Sequence, residues 1–321
     1  MTPYDLVTMG RVGVDLYPQQ HDVPLEVVRT FERFLGGSAA NVSVAAARYG
    51  RRVALISRVG DDAFGRFIRS ELLRLDVDTE FLTTVEDPTP TSLTFCEIYR
   101  PDHFPLVFYR YPTAPDLLIQ PGSLPLEAIR AARVFWATGT GLSQEPSRSA
   151  QHAAWDARGR AQWTILDLDY REPFWSSPAA AAEQLQGALP KVTTVVGTAA
   201  ECAMVTGKAD AWAAAEALFA HGLELVIVKR GRLGVLAMSR EAQVEVPAFP
   251  TEVVSGLGSS DAFGGALVHG LLSGWDLRRM LSFASIAGAI VASRAEASTA
   301  MPTAAEVDRL LDDVGLQDEF S

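Results

Sequence analysis

Apolar positions recur along this chain in two alternating rhythms: short runs rich in valine, isoleucine and leucine, and longer stretches whose apolar residues return every three or four positions. The short runs predict strands at 4–9, 53–57, 134–137, 164–169, 193–196, 225–229 and 233–238. The longer ones predict a small-residue helix opened by Gly36-Gly37 and closed by Gly50. Further helices are predicted at 64–75, 146–158, 178–188, 199–205 and 210–221, with another starting near Ser259. Strand and helix alternate, so the expected fold class is α/β, a doubly wound, mostly parallel sheet whose ligands bind beyond the carboxyl ends of its strands.

The rhythm changes between Thr91 and Tyr111. Ser92–Tyr99 alternates like a half-exposed strand, Pro101–Pro105 turns, and Leu106–Arg110 returns, which predicts a hairpin rather than a crossover. With the segments near 12–17 and 27–35 it can form a small antiparallel β lid over one end of a single domain spanning 1–321. The lid is expected to comprise about 12–35 and 91–111. Arg110 would reach a ligand from above, and exposed lid strands would allow a homodimer through the lid.

Composition narrows the partners. The 321 residues are 48% hydrophobic and 21% charged, with a net charge of −11, a globular composition. An acidic chain without a cluster of basic residues argues against nucleic acid and anionic membranes, so an anionic ligand must be met by a few placed cations and backbone amides. Cys96 and Cys202 stand apart, without partners at metal-ligand spacing, and are expected to be buried thiols. The opening residues resemble a strand and turn rather than a signal segment, and no stretch approaches the roughly 20 apolar residues of a membrane span, so the expected location is cytoplasmic.

The chain is organised around Ser255–Gly265, Ser-Gly-Leu-Gly-Ser-Ser-Asp-Ala-Phe-Gly-Gly. A helix starting near Ser259 would aim unpaired amides and its positive dipole end at an anion. Asp261, in its first turn, can either cap the helix or take a proton from a hydroxyl. Asp15 follows a glycine-bracketed strand end and is either a cleft residue or a solvated acid. Asn41 can bond a polyhydroxylated ligand or serve as a core amide. Asp167, Asp169 and Arg171 fall at a strand's carboxyl end. Lys229-Arg230-Gly231-Arg232-Leu233-Gly234 suits a nucleotide as well as it suits a plain turn.

Several ordered blocks together resemble the PfkB family of ribokinase-like sugar kinases over essentially the whole chain. They are Gly36-Gly37 with Asn41, Asp167-Leu168-Asp169-Tyr170-Arg171 with Trp175, Gly231 to Gly234, and Gly258 to Asp261. The resemblance implies an enzyme that moves the γ-phosphoryl of ATP to a sugar hydroxyl with Mg2+, leaving room for a monovalent cation. By position it implies Asp261 as the base and Gly258, Ser259 and Ser260 as the anion hole. Asp15, Gly36, Gly37, Asn41, Arg110, Asp169 and Arg171 become substrate contacts. Thr198, Lys229, Gly231, Gly234 and Gly258 become nucleotide contacts, and Glu201 a metal-side acid acting through water. The opening block and Asp167–Trp175 direct the resemblance toward members acting on ketodeoxy sugar acids, whose carboxylate a two-arginine clamp of Arg110 and Arg171 would hold.

The chain departs from the family at three places. Gly258-Ser259-Ser260-Asp261 stands where Gly-Ala-Gly-Asp is usual, Thr198-Ala199-Ala200-Glu201 replaces Asn-x-x-Glu, and Arg294-Ala295-Glu296 replaces Arg-x-Gly. A side chain at 260 either strains the loop or donates its hydroxyl to the phosphate. These departures leave a second reading open, a catalytically weak relative that binds its ligand without turnover.

Overall fold

In the computed structural model, which describes residues 3–99 and 103–318, the strands are β1 (Leu6–Met9), β2 (Gly13–Pro18), β3 (Phe31–Gly36), β4 (Val53–Val59), β5 (Val77–Asp78), β6 (Leu82–Thr84), β7 (Leu93–Cys96), β8 (Leu106–Tyr109), β9 (Val134–Thr138), β10 (Thr164–Asp167), β11 (Thr194–Thr198), β12 (Leu225–Lys229), β13 (Val235–Ser239) and β14 (Gln243–Val246). The α-helices are α1 (Ser38–Arg48), α2 (Ala63–Arg74), α3 (Leu126–Ala131), α4 (Ser147–Arg158), α5 (Pro178–Ala188), α6 (Ala199–Thr206), α7 (Ala211–Phe219), α8 (Ser259–Ser273), α9 (Leu277–Ala292) and α10 (Ala304–Asp318).

The large sheet runs β14-β13-β12-β11-β10-β9-β1-β4-β5, with β6 beside β4; it is parallel from β12 to β5 and antiparallel at β13 and β14. Its central strands are covered on both faces, which is why runs such as Leu225-Val226-Ile227-Val228 show no polar alternation. Successive side chains go to opposite faces. Leu6, Leu55, Trp136 and Ile227 join the core shared with α1, α2, α8 and α9. Val7, Ile56, Phe135 and Val226 join the one shared with α4 to α7.

The small sheet has the order β3-β2-β7-β8. Its outer pairs are antiparallel, but β2 and β7 at its centre run parallel. They are not hairpin neighbours, because the chain returns to the large sheet through α1, β4 and α2 between β3 and β7. Tyr17, Phe34 and Cys96 seat this sheet on Ala297 and Leu257 of the main body. The expected hairpin is present as β7 and β8, extended by a bridge between Tyr99 and His103; Pro101, in its expected turn, lies outside the described residues.

Two expected strands end differently. The strand expected at 164–169 stops at Asp167, and Asp169 takes a left-handed φ of 33°. The strand expected from 233 starts at Val235, because Gly231–Leu233 forms a 3-10 turn.

Candidate active site

The carboxyl ends of β1, β9, β10, β11 and β12 lie side by side, so Arg11, Thr140, Asp169, Thr198 and Lys229 gather at one edge of the sheet. The small sheet adds Asp15 from β2. Helix α8 adds Asp261 from its first turn.

Gly258 caps α8 at φ 78°, a left-handed conformation that favours glycine, and a Cβ there would lie 2.6 Å from Ala297 Cβ. Within the first turn the Asp261 amide donates to the Gly258 carbonyl at 3.1 Å. Among the described residues the Ser259 and Ser260 amides have no backbone acceptor, leaving the anion-ready end that the sequence implies. Ser260 is helical, with no left-handed strain of the kind its position suggested. Its hydroxyl accepts from Lys229 Nζ at 2.7 Å, and Ser259 Oγ donates to the Gly288 carbonyl at 2.9 Å.

Asp261 does not cap the helix with its side chain; Asn41 Nδ2 donates to its Oδ2 at 2.8 Å. Both readings of Asn41 therefore shift: it is a buried amide that orients the carboxylate, and its Oδ1 has no partner among the described residues. Burial lifts the Asp261 carboxyl to about 6 against the bond from Asn41, with the charge of Asp169 adding to the rise. A carboxylate that can take up a proton near neutrality results.

Asp15 is a cleft residue. Its carboxylate packs on Gly36, where a Cβ would lie 2.1 Å from Asp15 Cγ, and burial lifts it to about 6 against the pull of Arg11. Gly37 follows at φ 99°, its position for a Cβ only 2.5 Å from the Arg11 carbonyl, so the pair must be glycine for β3 to turn into α1.

Asp169 gathers four partners at the end of β10. Ser38 Oγ donates to it at 2.5 Å, Arg171 pairs with it at 3.0 Å, Thr140 Oγ1 lies at 3.3 Å and Arg11 at 3.7 Å. Burial opposes its charge, yet Arg171, Arg11 and the Ser38 bond outweigh burial and hold it below the usual carboxylate range. Backbone strain at its φ costs about 1–3 kcal/mol, which this set of partners offsets. Asp167 is buried below it and pushed up to about 7, by burial first and, against Lys229, by its acidic neighbours.

Arg110 reaches the same region from the end of β8, but its guanidinium pairs with Asp116 at 2.8 Å and stacks on Phe174 at 4.7 Å. Arg11 was not anticipated. It follows β1, lies 8% exposed, and sits 5.8 Å from the rings of both Phe108 and Phe174. The available signal was an arginine just past a strand's carboxyl end, as at Asp167–Arg171, here directly after Gly10.

On the nucleotide side, Thr198 and Glu201 form a capping box at α6: Thr198 N donates to Glu201 Oε2 at 2.7 Å, and Tyr170 N donates to Oε1 at 2.9 Å. The threonine thus supplies the cap that an asparagine would. Gly231 and Gly234 flank the turn after Lys229, and Gly234 packs against the Val246 carbonyl. Glu296 turns away to accept from Thr299 at 2.6 Å. Among the described residues no group of three or more His, Cys, Asp or Glu can hold a metal, and no helix is long and apolar enough to cross a membrane. The donors present fit the outer sphere of a Mg2+ that arrives on nucleotide phosphates, not an all-protein cage.

The chain is 32% identical over 314 residues to 5-dehydro-2-deoxygluconokinase of Bacillus subtilis (strain 168), covering 96% of both chains. It is 31% identical over 316 residues to the enzyme of the same name from Geobacillus kaustophilus (strain HTA426), covering 97% of this chain and 94% of that one. Among solved structures, fructokinase from Xylella fastidiosa with bound ATP superposes with a TM-score of 0.85 at 25% identity, over 97% of this chain and 99% of that one. The aminoimidazole riboside kinase of Salmonella enterica, complexed with its riboside and an ATP analogue, gives a TM-score of 0.78 at 25% identity, over 95% and 99%. The profile of the pfkB family carbohydrate kinases matches residues 4–304, and with this sheet, this glycine-capped helix and its buried aspartate the chain belongs to that family and is a carbohydrate kinase.

Proposed function

We propose that this kinase phosphorylates a hydroxyl of a ketodeoxy sugar acid with ATP, its substrate being 5-dehydro-2-deoxygluconate. The observation that carries the reading is the cationic acceptor end: Arg171 and Arg11 stand 3.0 and 3.7 Å from Asp169 in a cleft that also holds Asp15 and Asp261, with Arg110 nearby on Asp116. A neutral sugar has no use for those guanidiniums; a carboxylate does. The names of the relatives support the same class.

In this reading Asp15, Gly36, Gly37, Asn41 and Asp169 line the sugar, Arg171 donates to its carboxylate, and Arg110 adds charge from the lid. Asp261 accepts the proton of the attacking hydroxyl as the bond from that oxygen to the γ-phosphorus forms and the bond to the ADP oxygen breaks. The amides of Gly258, Ser259 and Ser260 receive the moving phosphoryl group, and Lys229 adds charge beside them. Thr198, Gly231, Gly234 and Gly258 border the nucleotide, and Glu201 faces the magnesium side. A Mg2+ carried in on the nucleotide, on the side of Glu201, would supply neutralisation of phosphate charge.

The small sheet is the lid, excluding water when substrate is bound. Its Val107, Tyr109 and Tyr111 are exposed, and a second copy pairing through that face is part of the same proposal, checked by sedimentation. Coupled ADP release against a panel of sugars and sugar acids tests the function. The highest kcat/KM is expected for 5-dehydro-2-deoxygluconate; preference for 2-dehydro-3-deoxygluconate or a neutral sugar refutes the substrate. ADP release with no compound supports the weak-relative reading.

A further inference from the structure

We infer that Arg11, rather than Arg110, is the second arm of the clamp that reads the acceptor's carboxylate; the inference rests on the sugar-acid reading above. A guanidinium offers five N–H donors, and a buried one is costly unless they are met. Arg11 is 8% exposed, yet among the described residues its side chain makes one hydrogen bond, a long one of 3.4 Å to Ser38 Oγ, and its Nε has no acceptor.

Asp169 does not account for it. That carboxylate is already met by Ser38 at 2.5 Å and Arg171 at 3.0 Å, and Arg11 stands 3.7 Å away, outside hydrogen-bond range. Among the described residues Arg171 has the same deficit, a buried Nε without a partner, whereas no such atom is found on Arg110, which Asp116 holds at 2.8 Å. Two guanidiniums with unmet donors thus flank one carboxylate at the acceptor end. A planar carboxylate arriving between them supplies the missing acceptors. Phe108 from the small sheet and Phe174 after β10, an edge-to-face pair with centroids 4.8 Å apart, pack against Arg11 from one side, each 5.8 Å from its guanidinium, and leave its other side to a ligand.

The test uses the full-length enzyme and its Arg11→Met and Arg11→Lys variants. Steady-state kinetics at saturating ATP are run with 5-dehydro-2-deoxygluconate and with the analogue whose carboxylate is reduced to a primary alcohol. Calorimetric binding of the acid without ATP provides a second readout. Arg11→Met should raise KM and Kd for the acid about 10- to 100-fold and change KM for the alcohol less than about threefold. Arg11→Lys, which keeps charge but not the fork, should fall between.

Equal losses on acid and alcohol, or unchanged acid binding in Arg11→Lys where Arg11→Met fails to fold, overturn the inference and make Arg11 a structural partner of Asp169. A wild-type enzyme that phosphorylates the alcohol and ignores the acid instead overturns the functional reading, a result visible before any variant is made.

Discussion

Replacing Asp261 by asparagine separates a base from a structural acid, because the two roles move stability in opposite directions. The carboxyl is buried and its pKa rises from 3.8 to about 6, so in the folded protein the charged form is disfavoured. Between those values the folded state binds a proton that the unfolded chain has released. Stability therefore falls as pH rises through that window and stays lower above it. At ~1.4 kcal/mol per pH unit the difference is about 3 kcal/mol. Asparagine keeps the shape, and its carbonyl oxygen can accept the 2.8 Å bond that Asn41 Nδ2 donates. Asp261→Asn should therefore lose turnover by roughly 10²- to 10⁴-fold and gain up to about 3 kcal/mol at pH 8, with the gain shrinking toward pH 5. Urea unfolding at both pH values, beside ADP release, measures both. Unchanged kcat, or a variant less stable than wild type at pH 8, would refute the reasoning.

Other perturbations address neighbouring groups. The kcat/KM of the wild type for the sugar acid should fall below pH about 6, because Asp261 and Asp15 both take up protons there, and Asp15→Asn should make the limb shallower; a limb near pH 4 would contradict this. Ser260→Gly should lower kcat/KM for ATP about 3- to 30-fold, since the hydroxyl that holds Lys229 at 2.7 Å is lost, and a rise would restore the strain reading. Arg171→Ala should raise KM for the acid more than tenfold while ATP KM stays within about threefold; parallel rises would assign Arg171 to general folding.

Local rules carried the sequence reading a long way. Asp62, Ser177, Thr198 and Asp210 each cap the helix that follows, and Gly258 and Gly274 bracket α8, so those helices were visible from end signals and apolar spacing. Asp261 was visible for the same reason, as an acid in a helix's first turn. What stayed hidden depends on distance across the fold. Ser38 and Asp169 are 131 positions apart, Asn41 and Asp261 220, and Lys229 and Ser260 31. Spacing carries no record of such meetings. The partner of Arg110 is nearer: Asp116, six positions on, pairs with its guanidinium, a contact that the sequence reading did not include. The strand expected through Asp169 fails because that residue turns left-handed to face four partners, a conformation that apolar rhythm does not encode.

The same geometry explains how a chain of net charge −11 can take two anionic substrates. Each guanidinium at the acceptor end stands near a buried carboxylate, Arg11 and Arg171 near Asp169 and Arg110 near Asp116. The protein thus keeps its cations in place without leaving a bare positive pocket. Pairing holds the arginines rigid, but it also competes with the ligand, and the competition is graded: Asp116 binds Arg110 at 2.8 Å, whereas Arg11 is left 3.7 Å from Asp169. A substrate carboxylate gains most where the internal partner is farthest, because there it adds hydrogen bonds instead of exchanging them. On the phosphate side the design differs. Lys229 rests on a neutral hydroxyl, so under the proposed roles a phosphoryl group arriving at α8 would meet a cation that no carboxylate among the described residues has to release.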